Sequence, residues 1–268
     1  MKSKSGTSQL TKATVKSVFA AASAEGVLSA ASKDLLCINL DDNVLAGCAG
    51  IDLDDIEATE VTLVSLLLDD SGSMGGFEKS VMDGHKELLD ALKGSKQKES
   101  FLVGMWALNG SGPIHSYVKV DDAVKLNSAN YSATGCTPLY DKWCEMLAAN
   151  VAYAQQLRAS GTAVRSIAVV ITDGRDEHSR KFRATDCARL AKDLLDSEQF
   201  ILALVGVGDE PLFRDVGHQM GIPDGSVLVA GKTASEIRRV FRLVSQSVIR
   251  ASQANVNPVS AQNAFFAP

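Results

Sequence analysis

Asp69, Ser71 and Ser73 stand at alternate positions in the run Asp69-Asp70-Ser71-Gly72-Ser73-Met74. A carboxylate and two hydroxyls so spaced are hard oxygen donors, which suit Mg²⁺ or Mn²⁺ rather than zinc. Two further segments carry donors of the same kind. Thr137 sits in Thr134-Gly135-Cys136-Thr137-Pro138-Leu139, directly before a helix-like run, and Pro138 suits a first helical turn. Asp173 sits in Ile171-Thr172-Asp173-Gly174, at the end of an apolar run, where Gly174 allows a sharp turn.

The elements around these segments must bring them together. Strand-like runs cover 61–68, 100–108, 166–172, 200–207 and 226–229, and several are apolar nearly throughout. Such runs fit parallel strands covered on both faces. Helix-like runs cover 78–92, 139–158, 184–196, 211–220 and 235–251. The alternation predicts an α/β fold: an open, mostly parallel, doubly wound sheet with helices on both faces. His115–Val120 leaves room for a short edge strand. In such a sheet the loops at the carboxyl ends of the strands share one edge, where ligand sites collect. All three donor segments fall at that edge.

Taken in order, Asp69-x-Ser71-x-Ser73, Gly135-x-Thr137-Pro138-Leu139 and Thr172-Asp173-Gly174 resemble the von Willebrand factor A (VWA) domain family, over residues 60–251. The resemblance implies a Rossmann-like VWA fold and a metal-ion-dependent adhesion site made of Asp69, Ser71, Ser73, Thr137 and Asp173. It implies direct ligation of Mg²⁺ or Mn²⁺ by Ser71 and Ser73. Thr137 would bind directly or through water, and Asp69 and Asp173 largely through water. An ion without a carboxylate from its own domain keeps a coordination position for the Asp or Glu of a protein partner. The sequence departs from the simplest pattern at Asp70, which strand alternation points away from the ion, and at Cys136, which is expected to pack. The helix over 235–248 is similar to that of the small intracellular bacterial tellurium-resistance-type members.

The remainder divides into an N-terminal annex and acidic connector (1–58), the main domain (59–251) and a flexible tail (252–268). A helix is expected over Thr11–Ala24. Val27–Leu36 reads as a second short helix, or a strand begins near Leu35. The acidic stretch from Asp41 to Glu60 lacks the spacing and central glycine of a calcium loop, so it reads as a solvated connector. The tail is expected to lack regular structure, with Phe265-Phe266 either folding back loosely or docking in a groove.

The formal net charge of −5 gives no bulk basic field for nucleic acid. No apolar run reaches the roughly 18–20 residues of a membrane helix. The start carries no compact apolar core, so a cytoplasmic protein is expected. The five cysteines are widely spaced and read as free thiols. Arg175, Arg180, Lys181 and Arg183, on the segment after Asp173, would either steer an acidic partner or form a solvated loop. His178 lies near the metal face but suits a hard cation poorly; His85, His115 and His218 need no role. The expected function is a metal-dependent adaptor that is not an enzyme. The alternatives are a structural subunit of an assembly and a metal-assisted phosphatase or hydrolase. Against hydrolysis, no nucleophile–base pair is evident, and Gly206-Val-Gly208 precedes Asp209-Glu210, which would repel phosphate.

Overall fold

The computed structural model describes residues 10–253 and 258–266. Residues 1–9, read above for a leader, and 254–257 and 267–268 of the tail lie outside the described residues. The chain runs α1 (Lys12–Ala24), α2 (Ala30–Ile38), α3 (Asp42–Gly47), β1 (Glu60–Leu68), α4 (Glu78–Lys93), β2 (Phe101–Ala107) and β3 (Pro113–Lys119). It continues through α5 (Leu139–Ala159), β4 (Ala163–Thr172), α6 (Ala184–Asp196), β5 (Phe200–Val207), α7 (Glu210–Gln219), β6 (Val227–Ala230), α8 (Ala234–Ala251) and α9 (Pro258–Asn263).

The six strands form one sheet in the order β3-β2-β1-β4-β5-β6. Every pairing is parallel except β2–β3, so the expected edge strand is the antiparallel one. β1 is buried along nearly all its length because it lies between β2 and β4 with helices on both faces. Its side chains alternate between two cores, as the pleat requires. Leu63 and Leu67 join the core beneath α5 and α6, while Val64, Leu66 and Leu68 join the core beneath α4 and α8.

α5 explains the annex. Sixteen of its 21 residues are buried, including the unbroken run Trp143–Gln155. A helix buried all round needs cover on its outer side, and Val15 and Phe19 of α1 and Val44 of α3 share the core with it. The expected connector is therefore partly helical. Asp41 caps α3 by accepting the Val44 N–H at 3.0 Å, which satisfies a donor that a helix start leaves free. After α3, Gly50 pairs with Tyr117 of β3, and Ile51 N–H donates to the Tyr117 carbonyl at 2.9 Å. Only glycine fits there, since a Cβ on Gly50 would lie 2.1 Å from the Tyr153 ring.

The tail also differs from expectation. It forms α9 and buries Phe265 in the α4/α8 core. Gln262 donates to the carbonyls of Leu195 and Phe200, and its own carbonyl accepts from the Ser226 hydroxyl. The phenylalanine supplies apolar area and Gln262 supplies the polar match, which together fix the segment.

His85 lies on the buried face of α4 and is 0% exposed, and neither ring nitrogen meets a partner among the described residues. Burial, aided by nearby His115, lowers its pKa from 6.5 to about 4. The unfolded chain therefore binds the proton first as pH falls. Stability from this group is complete above about pH 6.5 and is lost as pH drops toward 4, by about 3 kcal/mol. Burial lowers the pKa of His115 as well, with the same sign. Urea denaturation of wild type and His85→Leu at pH 7 and 4.5 is expected to show a markedly shallower acid loss in the variant; equal losses would assign it elsewhere.

Candidate metal centre

The site begins where β1 meets β4. Asp69 N–H donates to the Ile171 carbonyl at 2.9 Å, which carries the ladder one residue beyond the strand. The Asp69 residue is 1% exposed. Its Oδ1 accepts the Ser71 N–H at 2.8 Å, and its Oδ2 accepts the Thr172 hydroxyl at 2.5 Å and the Asp173 N–H at 3.4 Å. Tyr131 donates its hydroxyl to the Asp69 carbonyl at 2.6 Å. Asp69 thus brackets the β1 loop to the β4 loop.

Ser71 is buried and Ser73 is exposed. Their Oγ atoms are 2.9 Å apart, and Ser73 donates to Asp173 Oδ1 at 2.6 Å. Thr137 arrives from the third segment. Gly72 N–H reaches the Gly135 carbonyl at 3.4 Å, and a Cβ on Gly174 would stand 3.9 Å from Thr137 Oγ1. The structure therefore brings the five sequence-predicted residues to one sheet edge.

Asn109, which follows β2, holds the Thr137 segment. Its side chain accepts the Cys136 N–H and donates to the Cys136 carbonyl, both at 2.9 Å. Gly135 adopts φ +105°, and a Cβ there would meet Asn109 Oδ1 at 2.7 Å. Asp70 Oδ1 in turn accepts the Asn109 backbone and side-chain N–H groups, both at 2.9 Å. Burial pushes the Asp70 pKa up, against those two donors. Cys136, expected to pack, is exposed; Asn109 grips its backbone and leaves the thiol outside.

The charged segment after Asp173 wraps the start of α5. The Asp141 carboxylate accepts the N–H groups of Arg180, Lys181 and Phe182 at 2.9, 3.0 and 2.8 Å. Asp176 accepts the Tyr140 N–H at 3.1 Å. His178 Nδ1 accepts the Thr137 N–H at 3.2 Å. Lys181, one of the four cations read as either steering a partner or lying in a solvated loop, is instead tied to Asp41 at 2.5 Å and Glu145 at 2.8 Å. These two carboxylates raise its pKa against the opposing effect of burial. A cation so held links the annex to α5 and is poorly placed for steering. Arg175, Arg180 and Arg183 are exposed.

One further cation enters the site. Lys232, between β6 and α8, places its Nζ 2.5 Å from Asp173 Oδ2.

The residues fit a small hard dication. Ser71 and Ser73 share a hydrogen bond with their oxygens 2.9 Å apart, a separation also compatible with adjacent ligands of an octahedral Mg²⁺ with bonds of about 2.0–2.1 Å. The donors are hydroxyls and carboxylates, with no sulfur among them. Both Asp69 oxygens are already held by protein donors, which suits a charge-balancing role. A cationic group, the lysine ammonium, is seated on Asp173.

Sequence reasoning missed Asn109, Asp141 and Lys232. Only Lys232 carried a signal, as a cation in a loop at the carboxyl edge of the sheet.

No protein-family model matches the chain, and no curated protein matches it in sequence. Among solved structures, the pilus adhesin SpaC from Lactobacillus rhamnosus GG in its open conformation aligns with a TM-score of 0.50 at 15% identity. That alignment covers 72% of this chain and 30% of the adhesin chain. Proximal thread matrix protein 1 of the mussel byssus aligns at 16% identity with a TM-score of 0.44, over 69% of this chain and 47% of its own. The SpRpn10 VWA domain aligns at 10% identity with a TM-score of 0.46, over 67% of this chain and 93% of its own. The chain thus spans less than a third of the adhesin and about half of the thread protein. At 15% identity the adhesin likeness is one of fold alone: this chain shares its open α/β architecture.

Proposed function

We propose that this chain is a metal-dependent protein-interaction module, a cytoplasmic adaptor of VWA type. The observation that carries the reading is the arrangement of oxygen donors. Ser71 and Ser73 present hydroxyls at the spacing of an octahedral edge, while Asp69 is held back by its own hydrogen bonds. A bound Mg²⁺ or Mn²⁺ would supply an electrophilic centre with a coordination position left for an external carboxylate. Ser71 and Ser73 would hold the ion, with Thr137 beside them. Asp69 fixes the two strand ends, and Asp173 orients Ser73 by accepting its hydroxyl proton. The ligand is a protein partner offering an Asp or Glu. Arg175, Arg180 and Arg183 on the rim would favour such an acidic surface. Among the described residues no helix is long and apolar enough to cross a membrane.

Affinity capture from lysate tests the reading. Proteins retained by the wild-type chain in Mg²⁺ are expected to be released by EDTA, recovered when Mg²⁺ is returned, and missing with Thr137→Ala. Capture indifferent to EDTA and to the substitution would move the binding surface away from this edge.

A further inference from the structure

The loop Gly231-Lys232-Thr233 leaves β6, two strands from β4 in the sheet. Its lysine reaches back across that gap. Nζ lies 2.5 Å from Asp173 Oδ2 and 5.9 Å from the centroid of the Phe77 ring. The Asp173 side chain is 0% exposed and that of Lys232 is 39% exposed. An enclosed carboxylate is costly unless a positive group or hydrogen-bond donors compensate it. Ser73 engages one oxygen and Lys232 the other. Phe77, which ends the loop carrying the two serines, turns its ring toward the ammonium and adds a modest attraction.

We propose that Lys232 is a tethered counter-cation that competes with the divalent metal for Asp173. The inference rests on the metal reading above and extends it. With no ion bound, the ammonium neutralises Asp173 and keeps the carboxylate satisfied. A dication held by Ser71 and Ser73 would share the neighbourhood of Asp173 with that ammonium, and like charges so close repel. Ser73 and Lys232 each take one acceptor position on Asp173, so a metal-bound water would have to share an oxygen with one of them. Metal loading therefore displaces the ammonium, and the part-exposed lysine stem lets it move out into solvent. By linkage, Lys232 weakens metal binding by the factor by which metal weakens the Lys232–Asp173 pair. The device lets the edge fold without metal and fill at higher metal concentrations.

Calorimetric titration of Mn²⁺ into full-length wild type, Lys232→Met and Lys232→Arg tests this, with electron paramagnetic resonance of bound Mn²⁺ as a second readout. Lys232→Met is expected to bind Mn²⁺ roughly tenfold or more tightly than wild type, within the usual range of coupling between sites. Lys232→Arg keeps the charge and is expected to stay close to wild type. Metal-free Lys232→Met is expected to melt below wild type, because Asp173 loses its partner. Equal or weaker Mn²⁺ affinity in Lys232→Met would overturn the competition while leaving the metal site standing. No Mn²⁺ binding in any of the three chains would overturn the metal reading together with it.

Discussion

Asp141→Ala is expected to destabilise the fold by about 3 kcal/mol, the order lost when a buried charged acceptor leaves its donors unmatched. That corresponds to a fall of roughly 6–12 °C in melting temperature for a chain of this size. The size of the effect follows from what one carboxylate does. Asp141 sits in the first turn of α5 and gathers three consecutive N–H groups from the rim segment. Arg180 and Lys181 are exposed, so water can replace the acceptor at their amides. Phe182 is 4% exposed, and its amide has no such recourse. Limited proteolysis should show the same change locally, with faster cleavage after Arg180 and Lys181. Asp141→Asn keeps an acceptor oxygen and should lose less. A urea midpoint for Asp141→Ala indistinguishable from wild type would mean that the rim is held by its other contacts, those of Asp176, Glu177, His178 and Lys181.

Mg²⁺ at about a hundredfold its Kd is expected to stabilise the wild-type chain by about 2.7 kcal/mol, because a ligand bound only by the folded state adds its binding free energy. The melting temperature should rise by roughly 5–10 °C. Asp69→Ala should abolish the rise, and it should also melt lower without metal, since the N–H groups of Ser71 and Asp173 and the hydroxyl of Thr172 lose their common acceptor. Ser73→Ala separates the two effects. Ser73 is exposed and Asp173 keeps Lys232 when it is lost, so the metal-free melt should fall less than in Asp69→Ala while most of the metal response disappears. An undiminished rise in both variants would place the ion elsewhere.

The sheet and its helices were legible because each strand–helix step carries a local signal. The 184–196 helix and the 200–207 strand are read to the residue, since apolar spacing and flanking polar residues mark both ends. The common placement of Asp69, Ser71, Ser73, Thr137 and Asp173 at one sheet edge was legible for a related reason: each follows or precedes a strong element, and topology then gathers them. What sequence hid depends on long reach. Lys232 touches a residue 59 positions earlier, and Asn109 touches Asp70 and Cys136 across 39 and 27 positions. No periodicity records such a pairing. α3 escaped because six residues are too few to show a helical repeat, and two aspartates at its start read as solvated charge. α5 held an unread clue. A helix without a polar face implies a second layer outside it, which is where the annex lies.

The Gly50–Tyr117 pairing has a consequence for how the molecule behaves in a crowd. β3 is the antiparallel margin of the sheet, and an open margin offers unmatched N–H and C=O groups to any other chain. Residues 50 and 51 occupy part of that margin, and the Ser116 hydroxyl donates to the Ala46 carbonyl at 2.5 Å beside it. At the opposite end of the sheet, Phe266 N–H reaches the Gly225 carbonyl just before β6. The segment before β1 thus covers part of one margin, and the segment after α8 lies against the turn that leads into the other. Trimming residues 50 and 51 to isolate the central domain is expected to uncover backbone groups of Tyr117 on β3 and to raise self-association in light scattering.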